Sequence, residues 1–233
     1  MRFRTLKDKL LRPWRVFRSR GLCGLARRGK SWLWQRGSFR LLWLDLKDLD
    51  LCDVPLAQGV CLRRADARDT DAIARAWPEE FDSLPAESDL LRVELHHRFD
   101  AGIPCFVACR EGTVVGAMWF RSWKHDSALP ESLRCPNTVE TWNLFVNPSA
   151  RGLGIAKSLL RTAVAAMVAD GKQRCYSRIY PERKASIAVH EKLGFERLGL
   201  LRALRYLGRT RYVFDRAPAD PTAWPSSASG GSH

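Results

Sequence analysis

A short glycine-containing segment between a predicted strand and a predicted helix constrains the fold of this chain more than any other feature. The segment reads Arg151, Gly152, Leu153, Gly154, Ile155 and Ala156. Glycines remove side chains where a backbone passes close to a ligand, and the first turn of a helix supplies N–H groups and the positive end of a dipole. The segment therefore predicts a pyrophosphate site, with the cation of Arg151 at its mouth.

Two common phosphate-binding motifs do not fit this segment. A P-loop requires Lys and then Ser or Thr after its last glycine, whereas Gly154 is followed by Ile155 and Ala156. A dinucleotide-binding fingerprint requires a glycine where this chain has Lys157. The segment instead resembles the coenzyme A loop of the GNAT superfamily, whose pattern is Arg or Gln, two residues, Gly, one residue, and then Gly or Ala.

A second motif further along the chain strengthens this resemblance. Ser186 and Ile187, then His190, then the run Lys-Leu-Gly-Phe at 192–195 follow one another in the order found in phosphinothricin-type acetyltransferases of the same superfamily. The resemblance covers residues 59–215. It implies a GNAT fold in an α+β (mixed α/β) domain, with a central mixed, mostly antiparallel sheet flanked by helices.

Composition and periodicity divide the chain into three zones. Residues 1–50 are predicted to form a basic, amphipathic helical N-terminal extension, and residues 216–233 a tail rich in Pro, Ala, Ser and Gly that we expect to be disordered. The resemblance implies that residues 51–215 between them are the GNAT acyltransferase domain. Residues 38–46 are predicted to be a strand or a buried connector. Further strands are predicted at 59–65, 104–110, 113–123, 138–146, 173–180, 195–201 and 204–214, and helices at 69–77, 87–99, 153–170 and 181–193.

The resemblance implies which residues hold the coenzyme. In GNAT enzymes the strand before the loop is splayed by a bulge, and its backbone bonds the pantetheine arm. By that likeness the coenzyme-binding residues are Leu144, Phe145, Val146, the loop residues 151–156, Arg183 and Ser186. Arg183 departs from the family, which often has Asn there, although a cation near the coenzyme's phosphates is chemically reasonable. Trp142 and Asn143 flank the expected bulge and are predicted to line the acceptor pocket.

Two residues are predicted to move protons. Acylation of an amine by a thioester requires that the amine lose a proton and that the leaving thiolate be neutralised. Glu140 lies where histone-acetyltransferase-like members of the superfamily have a general base that acts through water; its alternative is a solvated or ion-paired carboxylate. His190 lies where many GNAT enzymes have a Tyr that protonates the thiolate; its alternative is a packed helix histidine.

The first 40 residues are strongly basic, with thirteen Lys or Arg and a single acid, in a chain of net charge +14. Phe3, Leu6, Leu10, Trp14 and Phe17 recur at the spacing of one helix face. This pattern favours an interfacial helix on an anionic membrane surface. Packing on the catalytic domain or on a second subunit is the next alternative, and nucleic acid is the least favoured partner.

No run of about 18 uninterrupted apolar residues is present, so no transmembrane helix is expected. Charges interrupt the N-terminus, which therefore lacks the apolar core of a secretory signal. The seven cysteines are scattered and are expected to be reduced thiols, with no metal site. The predicted location is the cytoplasm, with peripheral binding to the inner face of the membrane if residues 1–40 hold lipid.

The predicted function is transfer of an acyl group, in first place acetyl, from acetyl-CoA or another acyl-CoA to a primary amine of a small molecule. Two alternatives stay open. One is a protein or peptide N-acetyltransferase, and the other is a non-catalytic protein that binds coenzyme A or nucleic acid. A homodimer is a further alternative for the oligomeric state, because dimers are frequent in the superfamily.

Overall fold

The computed structural model describes residues 34–47, 49, 59–78, 88–122, 137–206 and 209–216. The strands within these residues are β1 (Trp34–Asp45), β2 (Val60–Arg64), β3 (Cys105–Arg110), β4 (Thr113–Ser122), β5 (Thr138–Val146), β6 (Arg174–Ile179), β7 (Glu196–Tyr206) and β8 (Arg209–Arg216). The helices are α1 (Thr70–Ala76), α2 (Asp89–Asp100), α3 (Ile155–Ala169) and α4 (Lys184–Glu191). Short 3-10 turns precede α1 at Ala67–Asp69 and follow β5 at Pro148–Ala150.

The eight strands form one sheet in the order β2-β3-β4-β5-β6-β1-β7-β8. Every neighbouring pair is antiparallel except β5 and β6, which run parallel. A parallel pair needs a crossover connection, and here α3 makes it. The predicted fold class, a mixed and mostly antiparallel sheet flanked by helices, is confirmed.

Strand β1 lies inside the sheet, between β6 and β7, which corrects where the sheet begins. Leu41 and Leu42 on this strand are fully buried on opposite faces, since Leu42 belongs to the core under α3 and Leu41 packs on Tyr176 and Leu198. The strand predicted at 38–46 is therefore part of the domain, although the sequence analysis assigned it to the extension. The basic composition of the first zone concealed the apolar alternation that places these leucines in the sheet.

Two apolar cores cover the two faces of the sheet. Helix α3 is amphipathic and buries Leu159, Leu160, Ala163 and Met167 on one face. Helices α1 and α2 cover the other face around a cluster that includes Trp77 and Trp119. Helix α3 therefore covers one face of the sheet at β5, whereas α1 packs against β4 on the other face.

Strand β5 separates from β6 after its first few residues. The two strands are paired only from Thr138 to Thr141, so their later residues diverge. On the other side, Trp142 pairs with Trp119 and Phe145 with Ala117, which leaves two β5 residues opposite one β4 residue. This is a β-bulge, and the predicted bulge is confirmed at Asn143, whose φ is +53°. The divergence opens a gap in the sheet.

No helix in the described ranges is long and apolar enough to cross a membrane. The predicted helical pattern in residues 1–33 and the tail at 217–233 lie outside those ranges.

Candidate active site

A cleft of about 690 Å³ occupies the gap between the diverging ends of β5 and β6. Its lining residues come from β1, β4, β5, β6, the loop that follows β6, and α4. They are Phe39, Arg121, Glu140, Thr141, Trp142, Asn143, Leu144, Ser177, Arg178, Ile179, Tyr180, Glu182, Arg183, Ser186 and His190. Seven predicted site residues are therefore brought together here: Glu140, Trp142, Asn143, Leu144, Arg183, Ser186 and His190.

The glycine loop lies just beyond the end of β5 and leads into α3. Gly152 and Gly154 have φ of +84° and +72°, a left-handed conformation that glycine adopts without steric cost. A Cβ added to either residue would meet nothing within 4 Å, so the space beside both is open to a ligand. The first α3 hydrogen bond runs from Ser158 N to Gly154 O, and the preceding N–H groups belong to the orphan donors of a helix start. This geometry suits a phosphate group.

The predicted coenzyme residues outside the cleft lining contribute through their backbone. The side chains of Phe145, Val146 and Ile155 are buried in the cores, so that only their main-chain groups can meet a ligand. Arg151 is exposed and its Nε donates to Val146 O at 3.2 Å, which ties the loop to the end of β5. Leu153 is exposed beside the glycines. The loop is thus presented to solvent on a braced backbone.

Helix α4 forms one wall of the cleft through residues one turn apart. Ser186 and His190 are i and i+4 on the helix and both line the cleft, as their spacing predicts. Arg183 is exposed at the N-cap of α4, next to the cleft mouth. A cation at this position fits the polyanionic end of a coenzyme better than it fits the acyl chain.

His190 is buried, with 1 % of its surface exposed, in a chain of hydrogen bonds that crosses the floor of the cleft. Its Nδ1 lies 2.8 Å from Ser186 O, and because a carbonyl can only accept, Nδ1 carries a proton. Its Nε2 lies 3.1 Å from Ser177 Oγ, which receives a hydrogen bond from Thr141 Oγ1 at 2.7 Å. Burial lowers the pKa of His190 from 6.5 to about 4, so the ring is neutral at pH 7 and Nε2 accepts from Ser177.

The opposite wall carries an ion cluster that three strands assemble. Arg121 of β4 is paired with Glu140 of β5, and Arg178 of β6 lies two residues after Tyr176, the parallel partner of Glu140. These side chains therefore project from one face of the sheet. Glu140 is 2 % exposed and is ion-paired with both guanidinium groups, at 3.1 Å to Arg121 Nε and in close contact with Arg178 Nε.

Trp142 contacts two guanidinium groups and borders the bulge. The Cζ atoms of Arg98 and Arg121 lie 3.8 Å and 4.8 Å from its ring centroid, at cation–π distance. Arg98 is buried, and Nη1 donates to Asn143 Oδ1 at 3.3 Å, so a residue of α2 holds the side chain of the bulged position. Burial lowers the pKa of Arg98, while its ion pair with Glu94 opposes the shift.

The sequence analysis missed Phe39, Arg98, Arg121 and Arg178. Two of them carried a signal. Arg98 continues the apolar stripe of α2 after Leu91 and Leu95, and a charge at a stripe position indicates a buried, partnered cation. Arg178 interrupts a buried strand. The contact of Arg121 and Arg178 with Glu140 depends on strand register across β4, β5 and β6, which one sequence does not give.

Known proteins resemble this chain over the same region. The Acetyltransferase (GNAT) family model matches residues 70–195. Mycothiol acetyltransferase of Amycolatopsis mediterranei is 25% identical over 173 residues, which cover 72% of this chain and 56% of that protein. Phosphinothricin N-acetyltransferase of Alcaligenes faecalis is 24% identical over 163 residues, covering 66% of this chain and 79% of that one. The chain spans only about half the length of the mycothiol acetyltransferases that it matches.

A solved structure has the same fold. An aminoglycoside N-acetyltransferase in complex with CoA superposes with a TM-score of 0.52 at 22% identity, covering 72% of this chain and 100% of the other. The family match includes β4, β5, the glycine loop, β6 and α4, so every described lining residue of the cleft except Phe39 lies within it. The resemblance predicted from the two motifs is confirmed, and the chain belongs to the acetyltransferase (GNAT) family.

Proposed function

We propose that this protein is an acyl-CoA-dependent N-acetyltransferase that transfers an acetyl group to the primary amine of a small molecule. The observation that carries the proposal is the cleft in the gap between β5 and β6, followed directly along the chain by the open glycine loop at the start of α3. A strand with a bulge, a helix start whose N–H groups suit a phosphate, and a cleft beside them are the parts that such a reaction requires.

The chemistry divides the site into two parts. In the reaction the amine nitrogen attacks the thioester carbonyl carbon, the new N–C bond forms, the C–S bond breaks, and the amine proton leaves while coenzyme A departs as a thiol. Residues 151–156 and the backbone of β5 would hold the coenzyme. The face with Glu140 and Trp142 would receive the amine.

The base role predicted for Glu140 stays a prediction, and the geometry supports a second role more strongly. Both of its carboxylate oxygens accept from guanidinium groups, so it would have to give up a charge-assisted hydrogen bond to take a proton. In that second role Glu140 is a positioning residue for Arg121 and Arg178. A Glu140→Gln variant separates the roles: loss of a base lowers kcat and flattens its pH profile, whereas loss of positioning raises KM for the amine.

The acid role predicted for His190 also stays a prediction. The one proton of the neutral ring is on Nδ1 and is donated to Ser186 O, while Nε2 faces Ser177 as an acceptor. A neutral ring in this arrangement orients the Ser177 hydroxyl on the cleft floor. If His190 is the acid, kcat of the His190→Gln variant should fall steeply. The pH profile of kcat for the wild type should then show a group that titrates near neutrality.

The relatives direct the choice of acceptors. Two of them are named for mycothiol and phosphinothricin acetylation, and the structural neighbour is named for aminoglycosides. The test is incubation of the full-length protein with acetyl-CoA and separate panels of amino acids, amino sugars, aminoglycosides, polyamines and peptides. Mass spectrometry detects the added acetyl group, and a thiol reagent detects released coenzyme A.

We expect acetylated product in one of the small-molecule panels, with equal amounts of free thiol. Product only with peptides would replace the small-molecule proposal by the protein N-acetyltransferase alternative. Tight binding of acetyl-CoA with no product in any panel would leave a coenzyme-binding protein without transferase activity.

We further propose that the basic residues of 1–40 hold the protein at an anionic membrane surface, a proposal supported by their charge and apolar spacing. Deletion of residues 1–40 is a poor test because it removes half of β1. Neutralising the Lys and Arg of residues 1–30 to Gln leaves β1 intact. We expect the full chain to pellet with phosphatidylglycerol vesicles but not with phosphatidylcholine vesicles, and the neutralised chain with neither; equal pelleting of both chains would contradict the proposal.

A further inference from the structure

The acceptor side of the cleft carries more positive charge than acetyl transfer to an amine requires. The charged residues that line the cleft are Arg121, Glu140, Arg178, Glu182 and Arg183, which include three cations and two anions. Glu182 and Arg183 are exposed, whereas Arg121 and Arg178 have side chains only 13% exposed. An ammonium substrate gains nothing from two enclosed guanidinium groups.

The inner cluster is a built arrangement rather than a chance meeting of surface charges. Glu140 is in contact with the Nε atom of each guanidinium, which fixes their distance from one another. Aromatic rings support both cations: Arg121 lies 4.8 Å from the centroid of Trp142, and Arg178 lies 5.9 Å from that of Phe39. Glu140 contacts each cation through Nε, and a guanidinium has further N–H donors at its terminal nitrogens.

Within the described part of the chain, one carboxylate between two guanidinium groups leaves one positive charge in a largely enclosed wall. An enclosed charge without a partner is costly, and an incoming anion that hydrogen-bonds both cations removes that cost. Planar guanidinium groups match a planar carboxylate through paired N–H donors. The same wall places Trp142 and Phe39 where the rest of a small substrate can pack.

We propose that Arg121 and Arg178, held by Glu140, bind a carboxylate of the acceptor, so that the substrate class is an amino acid or a closely related amine that carries a carboxylate. This inference rests on the proposed function, because it names the acceptor of that reaction. It also gives strand β1 a part in acceptor binding through Phe39, which contacts Tyr180 at a centroid distance of 4.6 Å.

The test compares amines that differ by one group. The wild-type protein is assayed with acetyl-CoA and three forms of each protein amino acid as acceptor: the free amino acid, its methyl ester and its decarboxylated amine. O-phosphoethanolamine and β-alanine form a further pair that distinguishes a phosphate from a carboxylate. We expect kcat/KM for the best amino acid to exceed that of its decarboxylated amine by about 10- to 100-fold, the range of a charge-assisted hydrogen-bond pair.

Variants assign the effect to this cluster. Arg178→Met should lower kcat/KM for the amino acid by about 10- to 100-fold, mainly through KM, and should lower kcat/KM for the decarboxylated amine far less. Arg178→Lys should restore part of the loss because it keeps the charge without the planar fork. Arg174→Met is the matched control, since Arg174 lies on the same strand and the same face but outside the cleft lining, and it should change neither substrate.

Three results would overturn the inference. Equal kcat/KM for the amino acid and its decarboxylated amine would remove the carboxylate site, with the proposed transferase function intact. An equal loss for both substrates in Arg178→Met would make the cluster structural only. A preference for O-phosphoethanolamine over β-alanine would assign the site to a phosphate. If acetyl-CoA binds and no amine at all is acetylated, the proposed function itself fails, which the other three results do not imply.

Discussion

The two sides of the cleft are built in different ways. The proposed coenzyme side is mainly one continuous stretch, residues 144–156, in which a strand, a glycine loop and a helix start follow one another, with Arg183 and Ser186 added from α4 and its N-cap. The proposed acceptor side is assembled from single residues of separate strands: Phe39 of β1, Arg121 of β4, Glu140 of β5 and Arg178 of β6. The coenzyme side thus depends on the local backbone conformation of one segment. The acceptor side depends on the register that aligns residues of separate strands.

This difference explains which substitutions each side of the cleft can tolerate. A loop whose glycines need a left-handed backbone tolerates little change, because in the proposed site this conformation presents the backbone to the coenzyme. A wall of side chains on register positions can change its chemistry without changing the strand that carries it. We therefore expect coenzyme binding to fail through backbone substitutions, and acceptor choice to change through single side chains.

The largest expected effect concerns the acceptor side. Glu140→Ala removes the counter-ion of two enclosed guanidinium groups, which should lower the free energy of unfolding by about 4 kcal/mol. Chemical denaturation at pH 7 measures it. Glu111→Ala is the control, because that side chain is exposed beside Arg110 and should change stability by less than about 0.5 kcal/mol. Equal effects of the two changes would mean that the cluster is solvated like a surface pair.

The second largest expected effect is a loss of folding stability as the pH falls, and it involves His190. The pKa of His190 is about 4 in the folded protein and near 6.5 when the residue is exposed, so the unfolded chain binds the extra proton between these values. The stability from the neutral buried ring is complete above pH 6.5 and decreases toward pH 4, by about 3 kcal/mol in total.

A His190→Gln variant removes that dependence. Urea unfolding at pH 7 and pH 4.5 should show a smaller loss of stability in the variant than in the wild type. His97→Gln is the control, because His97 is exposed on α2. A wild-type loss that is the same in His190→Gln would place the sensitive group elsewhere.

A matched pair of glycines tests the coenzyme side. Gly154 and Gly171 have φ of +72° and +76°, and a Cβ on either would meet nothing within 4 Å. Substitution by Ala should therefore cost both positions about 1 kcal/mol of stability. Only Gly154→Ala should weaken acetyl-CoA binding, by about 10- to 100-fold or about 2 kcal/mol, because its Cβ enters the space assigned to the pyrophosphate. Equal binding by both variants would remove the loop from the coenzyme site.

The smallest effect concerns the link between the two sides. Arg98→Lys keeps a cation at a buried position but loses the planar contact with Trp142 and the hydrogen bond to Asn143. We expect a loss of about 1 kcal/mol in stability and a modest rise in KM for acetyl-CoA. Arg92→Lys, on the same helix with exposed ion-pair partners, should have neither effect. A change in stability without a change in KM would limit Arg98 to the core.

The order of elements on the proposed coenzyme side could be predicted because its determinants are close together in the chain. The order β5, loop 151–156 and α3 is legible from residue types, and the bulge was expected next to Asn143. The ion cluster was not predicted, because Glu140 alone does not indicate that Arg121 and Arg178 lie beside it. Likewise, β1 was grouped with the basic extension although its leucines lie in the sheet, since long-range pairing with β6 and β7 decides its place.

The most direct test of the two-sided account is calorimetric titration of acetyl-CoA into three proteins: the wild type, Gly154→Ala and Arg178→Met. The account predicts micromolar affinity for the wild type, the same affinity for Arg178→Met, and a loss confined to Gly154→Ala. Absence of binding by the wild type, or a loss in Arg178→Met that matches that of Gly154→Ala, would contradict it.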